Sequence, residues 1–381
     1  MTKIMRTREG IALPMAIGAI VIIGVLIAGA MFAAVQDQRV GANTLQQARA
    51  SAAAELGLNR ISAEWNPSYN ISVAQGDTLL RSYAAPGGAS ANVTATRLQG
   101  PFFFMVSEGK AGGNQFSQSA RRRFGMLLRL DTPDIPFMGA LTGRGQILVG
   151  GSATVQGKDA NPAAWAACPS PGSGVAGVAM SDTTAGLKMP GCAVSKNCVD
   201  GNPKFIQTPL ASDTATYFVY GNSTYAALAA SATLPIAGGS TLTGISPAAA
   251  GGVCTKTSMN WGDPNRALPA GACESYFPTI HALGDLHISG GTGQGILLVD
   301  GDLTLSGGFA FTGIVIVRGS LTTTGTGGKI TGGVMAANVS LDQNTVLGNT
   351  TIQYSSCAIN TVMQGSAKLI PAKGRPWVDL Y

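Results

Sequence analysis

From Ile11 to Ala34 the chain runs for 24 residues without a charged side chain, reading IALPMAIGAIVIIGVLIAGAMFAA. As a helix at about 1.5 Å per residue this stretch spans roughly 36 Å, enough to cross a hydrocarbon core of about 30 Å. Lys3, Arg6 and Arg8 stand on its near side, followed by Glu9 and Gly10. Positive flanks stay cytoplasmic, so the arrangement sends the rest of the chain across the membrane.

Two ordinary readings compete for this stretch. A secretory signal peptide would use Ala28-Gly29-Ala30 as a small-residue cleavage site, but the apolar run exceeds the roughly 7 to 15 residues of such segments. A plain membrane anchor is the other. A third reading comes from the far end of the run, where no helix stop appears. Residues 35 to 64 are rich in Ala, Gln and Leu and free of proline, with Val40, Leu45, Ala48, Ala52, Leu56 and Ile61 at roughly helical spacing. One apolar span fused to an amphipathic helix of similar length is therefore expected.

That combination resembles the N-terminal half of a type IV pilin. The similarity rests on the basic leader ending at Gly10, the apolar span from Ile11, and Ala53-Ala54-Glu55-Leu56-Gly57-Leu58, which is similar to the same region of PilX-type minor pilins. The resemblance implies that a prepilin peptidase cuts after Gly10 and leaves Ile11 as the new N-terminus. Major pilins carry a glutamate at the fifth mature position, which neutralises a neighbour's amine in the filament core; here that position is Met15. Unpaired buried charge is costly, so the missing acid implies a tip subunit or a pseudopilin rather than an internal one. Pro14 falls in the first turn of the mature helix, where it costs the helix little.

The chain's 52 glycines and 12% charged residues, with abundant Thr, Ser, Ala and Val, point to many short strands and tight turns. Its 45% hydrophobic content argues against disorder. A formal charge of +6 is a mild surplus that does not suggest nucleic acid, and Arg121-Arg122-Arg123 reads as a solvated strand face. The six cysteines, Cys168, Cys192, Cys198, Cys254, Cys273 and Cys357, all lie in the exported part, and an even count there suggests three disulfides. About 15 connectivities are possible. Sequence proximity favours Cys192 with Cys198 and Cys254 with Cys273, leaving Cys168 with Cys357. Metal-ligand spacing is absent, and the two histidines, His281 and His287, fall on predicted strands.

After Pro67 the texture changes. Leu79 to Tyr83, Asn92 to Leu98, Phe102 to Ser107, Gln115 to Ala120 and Phe124 to Leu130 read as strands separated by Gly-Pro or Gly-Gly signals, the pattern of a meander. It resembles the antiparallel sheet that packs on a pilin's helix, and the proline-rich Asp131 to Pro136 closes it. Beyond comes an internal repeat. Residues 148–157 answer 298–307, while Gly284-Asp285-Leu286, Gly301-Asp302-Leu303 and Gly319-Ser320-Leu321 recur at spacings of 17 and 18. Short strands at this period with glycine at each corner describe a parallel β-helix, each coil burying pairs such as Leu286 and Ile288, Leu303 and Leu305, Ile314 and Ile316. A Greek-key sandwich is the alternative. Four coils are expected from about 280 to 355, with residues 352–357 as a capping strand and 146–157 joining across the insert.

The expected fold is mainly β with a long N-terminal α-helix: an antiparallel β-meander on the helix, then a parallel β-helix-like head with a disulfide-rich insert. Expected boundaries are a leader (1–10), the membrane part (11–34) and extramembrane part (35–65) of the helix, the meander (66–136), the head (137–157 plus 281–360), the insert (158–280) and a C-terminal tail (361–381). Strand-like pieces in the insert are Tyr217 to Tyr220 and Ser240 to Ile245, and Trp261-Gly262-Asp263-Pro264 reads as a turn around a buried tryptophan. The runs 295–303, 313–319 and 354–359 are similar to the C-terminal region of large PilX-like pilus-assembly proteins, and the corner pattern resembles that of bactofilins.

These resemblances imply a non-enzymatic minor pilin or pseudopilin that primes or caps a filament and presents its head for adhesion. The implied partners are other pilins, prepilin peptidase, the bacterial inner membrane before assembly, and a surface ligand on a host or substratum. The pilus and cell surface are the implied final location. No cofactor, metal, nucleic acid or catalytic residue is expected. The rivals are a membrane-anchored extracellular β-helix protein without a pilus role, and a polysaccharide lyase or hydrolase of the kind right-handed β-helices carry. The enzyme needs carboxylates converging on one face. Asp285 and Asp302 each follow a corner glycine, and Asp300 is answered one coil later by Arg318.

Overall fold

The computed structural model describes residues 12–112, 118–181, 186–192, 197–326, 328–338, 343–374 and 376–380. The leader, Gly10 and Ile11 lie outside the described residues. One helix, α1 (Ala12–Ala63), runs for 52 residues. At helical rise it is roughly 78 Å long. After Pro14 it contains no proline, so nothing interrupts its hydrogen-bond ladder.

Its C-terminal half lies on an antiparallel sheet, β1 (Thr78–Ala85), β2 (Ala89–Arg97), β3 (Phe102–Ala111) and β4 (Ala120–Asp131), paired in that order. Strand alternation points Phe103, Met105, Ser107, Gly109 and Ala111 of β3 at the helix, which answers with buried Ala50, Ala53, Ala54, Leu58 and Ile61. The helix comes close because the contact residues are small: a Cβ on Gly109 would sit 2.0 Å from the Ala50 carbonyl oxygen. The meander has four strands where the sequence suggested five. Gln115 to Ser117 lie outside the described residues, Gln118 and Ser119 are coil, and Ala120 opens β4.

Most of the remaining strands form a parallel solenoid with three strand segments per turn. A turn is traced by Leu286–Val299: residues 286–289 pair with 303–306 on one face, and residues 292–299 pair with 310–317 around a corner at Gly295. Gly295, Gly313 and Gly332 stack at that corner with φ of 121°, 141° and 146°. The corner also switches side-chain parity. Val315 and Val317 point into the solenoid core, whereas Ile314 and Ile316, expected inside the coil, point outward beneath other elements.

The order of strands along the stack differs from their order in the chain. On one face the sequence of neighbours is 234–236, 279–282, 296–299, 314–317, 334–336, 141–143, 178–180 and 205–207. The chain thus starts the solenoid in its middle at Gly139, winds to one end at Gln207, crosses outside to the other end, and winds back until Val334 pairs with Leu141. The 158–280 segment is therefore not a separate insert but contributes turns at both ends of the stack. Its periodicity is hidden because excursions of unequal length, 158–175, 208–233 and 246–278, separate its strands.

Three further expectations are corrected. Residues 351–354 form a strand, but Ser356–Ser366 is a helix, capped by Ser355 Oγ accepting the Ala358 amide. It buries Cys357, Ala358, Ile359 and Val362 over the outward-facing Ile296, Leu298, Ile314 and Ile316. The segment after it is no loose tail: Lys368–Pro371 and Trp377–Leu380 both pair antiparallel with β4, so the chain ends back on the first sheet. In the crossover, Thr214–Phe218 is helical rather than extended, started by Asp213 accepting the Ala215 amide, and only Val219–Tyr220 form a strand.

Candidate functional site

The largest unpartnered surface is the N-terminal half of α1. From Leu13 to Val35 its large apolar side chains stand 44–72% exposed, with Met15 at 72%. Among the described residues, no charged side chain precedes Asp37 on this helix. Contiguous apolar surface of this size marks a membrane or protein contact, and the helix over Leu13–Ala63 satisfies length and hydropathy for one membrane crossing. Pro14 lies in the first described turn, where no intrahelical donor is lost.

A second candidate is the junction between sheet and solenoid. Arg97, 7% exposed, donates from Nη1 to the Asn70 carbonyl at 2.6 Å and from Nη2 to Gln364 Oε1 at 3.0 Å, with its guanidinium 4.7 Å from the Phe103 ring centre. Burial pushes its pKa down. Asn70 Nδ2 donates to the carbonyls of Gln364 (2.8 Å) and Ala367 (2.9 Å), and Trp65 Nε1 donates to Asn70 Oδ1 at 2.7 Å. Clefts flank the junction. One, of about 630 Å³, has Trp65, Lys256, Tyr276 and Phe277 in its walls; the other, of about 660 Å³, has Arg97, Trp165, Arg266 and Glu274. Both fall in the size range of small-molecule sites.

The third is a polar cluster on the outer face of the solenoid. Asp300 accepts a hydrogen bond from Tyr225 Oη at 3.0 Å, lies 3.0 Å from His281 Nε2, and pairs with Arg318 Nη1 at 3.5 Å. Arg318 in turn lies over the rings of Phe218 and Tyr225, at 5.6 and 5.8 Å. Burial, with the adjacent Asp300 charge, pushes the Tyr225 phenol far up, so it stays a donor. These contacts tie the crossover to the turns beneath it. The offset of 18 between Asp300 and Arg318 was visible in the repeat and His281 fell on an expected strand, but Tyr225 had no signal, because the crossover carries no period.

Asp285 and Asp302 bond from turn to turn. Asp285 Oδ1 accepts the Asp302 amide at 2.9 Å, and Asp302 Oδ1 accepts the Ser320 amide at 2.7 Å, a corner ladder that ties each turn to the next. Trp261 is fully buried, edge-on to Phe309 and Phe311, with Nε1 donating to the Ser258 carbonyl at 2.8 Å, and offers no face to a sugar. Among the described residues no group of three or more His, Cys, Asp or Glu side chains converges on a metal position. The cysteines pair as Cys168–Cys357, Cys192–Cys198 and Cys254–Cys273. The first ties the 158–175 excursion to the C-terminal helix.

Comparison with protein-family models and with curated proteins gives no match. Among solved structures, a competence-associated pilin, ComZ, from Thermus thermophilus is similar over 88% of this chain and 96% of its own, at 12% identity and a TM-score of 0.24.

Proposed function

We propose that the chain is a pilin-like subunit that enters a filament by its N-terminal helix and carries a non-catalytic solenoid head. The observation that supports this reading best is the division of α1. One half is buried in the first sheet; the other extends as bare apolar helix in continuous register with it. Such a helix suits first a membrane and then a bundle of like helices, because the same apolar surface serves in both. Cleavage after Gly10 by a prepilin peptidase would leave Ile11 at the tip of this helix. Met15 then gives the subunit no acid to neutralise a neighbour's amine, which favours a tip or initiating position. The head, joined to the first sheet through Arg97 and Gln364, would face away from the inner membrane and, after assembly, outward at the cell surface, where its clefts are open to a ligand.

Mass spectrometry of the mature N-terminus tests this. A chain beginning at Ile11 supports the reading. An intact Met1, or a start after Ala30, overturns it in favour of an anchored or secreted protein without a filament role.

A further inference from the structure

The arginine run of β4 is used by none of these sites, yet its position relative to α1 is well defined. The described parts of β3 and β4 reach the helix at the level where it leaves the globular body: the Gln118 amide donates to Asn43 Oδ1 at 3.0 Å, and Gly109 abuts Ala50. Arg121 and Arg123 project from the outer face of the sheet opposite Lys110 and Glu108, while Arg122 stands opposite Gly109 on the helix side. Arg49 and Arg39 add charge along the helix itself. The acids nearby are fewer. Glu108 is held by Lys110 at 2.9 Å and Arg123 at 3.9 Å, which lower its pKa; the others are Asp37 and Glu55 on α1, Asp131 at the far end of β4, and Asp379 on the C-terminal strand paired with it. The opposite turn, Pro86–Gly88 between β1 and β2, reaches Arg49 with Gly87, and residues 82–92 around it carry no charge.

Resting on the membrane-spanning reading of α1, we infer that this one-sided basic flank docks on anionic lipid headgroups of the membrane the helix crosses. From Ala34 to Asn43 is about 14 Å of helix, of which the headgroup layer takes about 5–7 Å. A tilt of about 20°, ordinary for a membrane helix, lowers the charged hairpin toward the surface, where each Lys or Arg gains roughly fivefold in local affinity for anionic lipid. Because only the β3–β4 pair is charged at this end of the sheet, anionic lipid fixes the direction of that tilt. The head is then held to one side before assembly, and leaving the membrane requires breaking this contact.

The full chain, reconstituted in vesicles of phosphatidylcholine alone or with about 30% phosphatidylglycerol, tests the inference by amine-reactive labelling read by mass spectrometry. Lys110 labelling is expected to slow at least about threefold in the anionic vesicles, with Lys204 at the far end of the solenoid unchanged. The protection is expected to vanish in about 0.5 M salt and in the Arg121→Gln, Arg122→Gln, Arg123→Gln variant. Equal labelling in both vesicles, or protection that survives salt or the variant, overturns the inference while leaving the membrane span intact. Failure of the chain to integrate into either vesicle, read separately by alkaline extraction, overturns the span and this inference with it. The salt series on the wild-type chain needs no variant to fold.

Discussion

Tyr225 on the crossover donates its phenol to Asp300 on the solenoid, a contact between segments 75 residues apart. Removing the acceptor leaves a buried hydroxyl and the ring of His281 without their shared partner. Asp300→Ala is expected to lower unfolding free energy by about 2–3 kcal/mol, and Tyr225→Phe by about 1 kcal/mol. Urea unfolding of each variant and of the double variant checks this: the double loss should fall short of the sum, since both remove one interaction.

The stacked corner glycines make a sharper prediction. A Cβ on Gly313 would lie 2.1 Å from the Gly295 carbonyl oxygen, at a φ of 141° that other residues avoid. Gly313→Ala is expected to cost about 3 kcal/mol or more, far beyond the usual glycine-to-alanine change. Gly308→Ala, also at positive φ but in open space, should cost less, and thermal melts of the two variants separate clash from backbone strain.

Acid should loosen the C-terminal helix. Asp159 accepts hydrogen bonds from Ser356 N (2.8 Å), Ser356 Oγ (2.5 Å) and Gly172 N (2.7 Å); burial alone would raise its pKa, but these bonds outweigh it and the pKa falls. A depressed carboxyl contributes stability above its unfolded value of about 3.9 and loses it as pH falls through the lower folded value. Asp159→Asn is therefore expected to cost about 1 kcal/mol at neutral pH and to flatten stability against pH below about 4, which denaturant titrations at several pH values would reveal.

Cys168–Cys357 closes a loop with a separation of 189 residues, against 6 and 19 for the other bridges. In the chain-entropy account the longest loop gains most, about 3–5 kcal/mol. Cys168→Ser with Cys357→Ser should lower the melting temperature more than removal of Cys192–Cys198, compared by calorimetry.

A charge in the bare half of α1 tests what surrounds it. Ile22 is 63% exposed, so Ile22→Arg disturbs no packing within the chain. It should cost about 2.5–3.5 kcal/mol of insertion in a bilayer, moving the protein from the alkali-resistant to the soluble fraction.

The long helix and the parallel coils from 286 to 336 were legible because each obeys a single period: helical apolar spacing in the first, a repeat of 17 and 18 in the second. The outward parity of Ile314 and Ile316 was not, since one residue at positive φ, Gly313, flips every side chain after it. Nor was the contribution of 158–280 to the stack, where strands of two to six residues are separated by excursions with no common length. The third miss was the C-terminal return. Lys368–Pro371 reads as tail because its pairing partner, β4, lies more than two hundred residues earlier.

The solenoid begins at its own centre, and this has a mechanical consequence. A load on the protruding helix reaches the stack through Gly139 and through the C-terminal helix following Tyr354, both at the middle layer. Neither end of the spring carries a handle. Pulling therefore cannot peel turns one at a time from a free edge, but must shear the central strands past neighbours held on both sides, and the head yields as a unit or not at all.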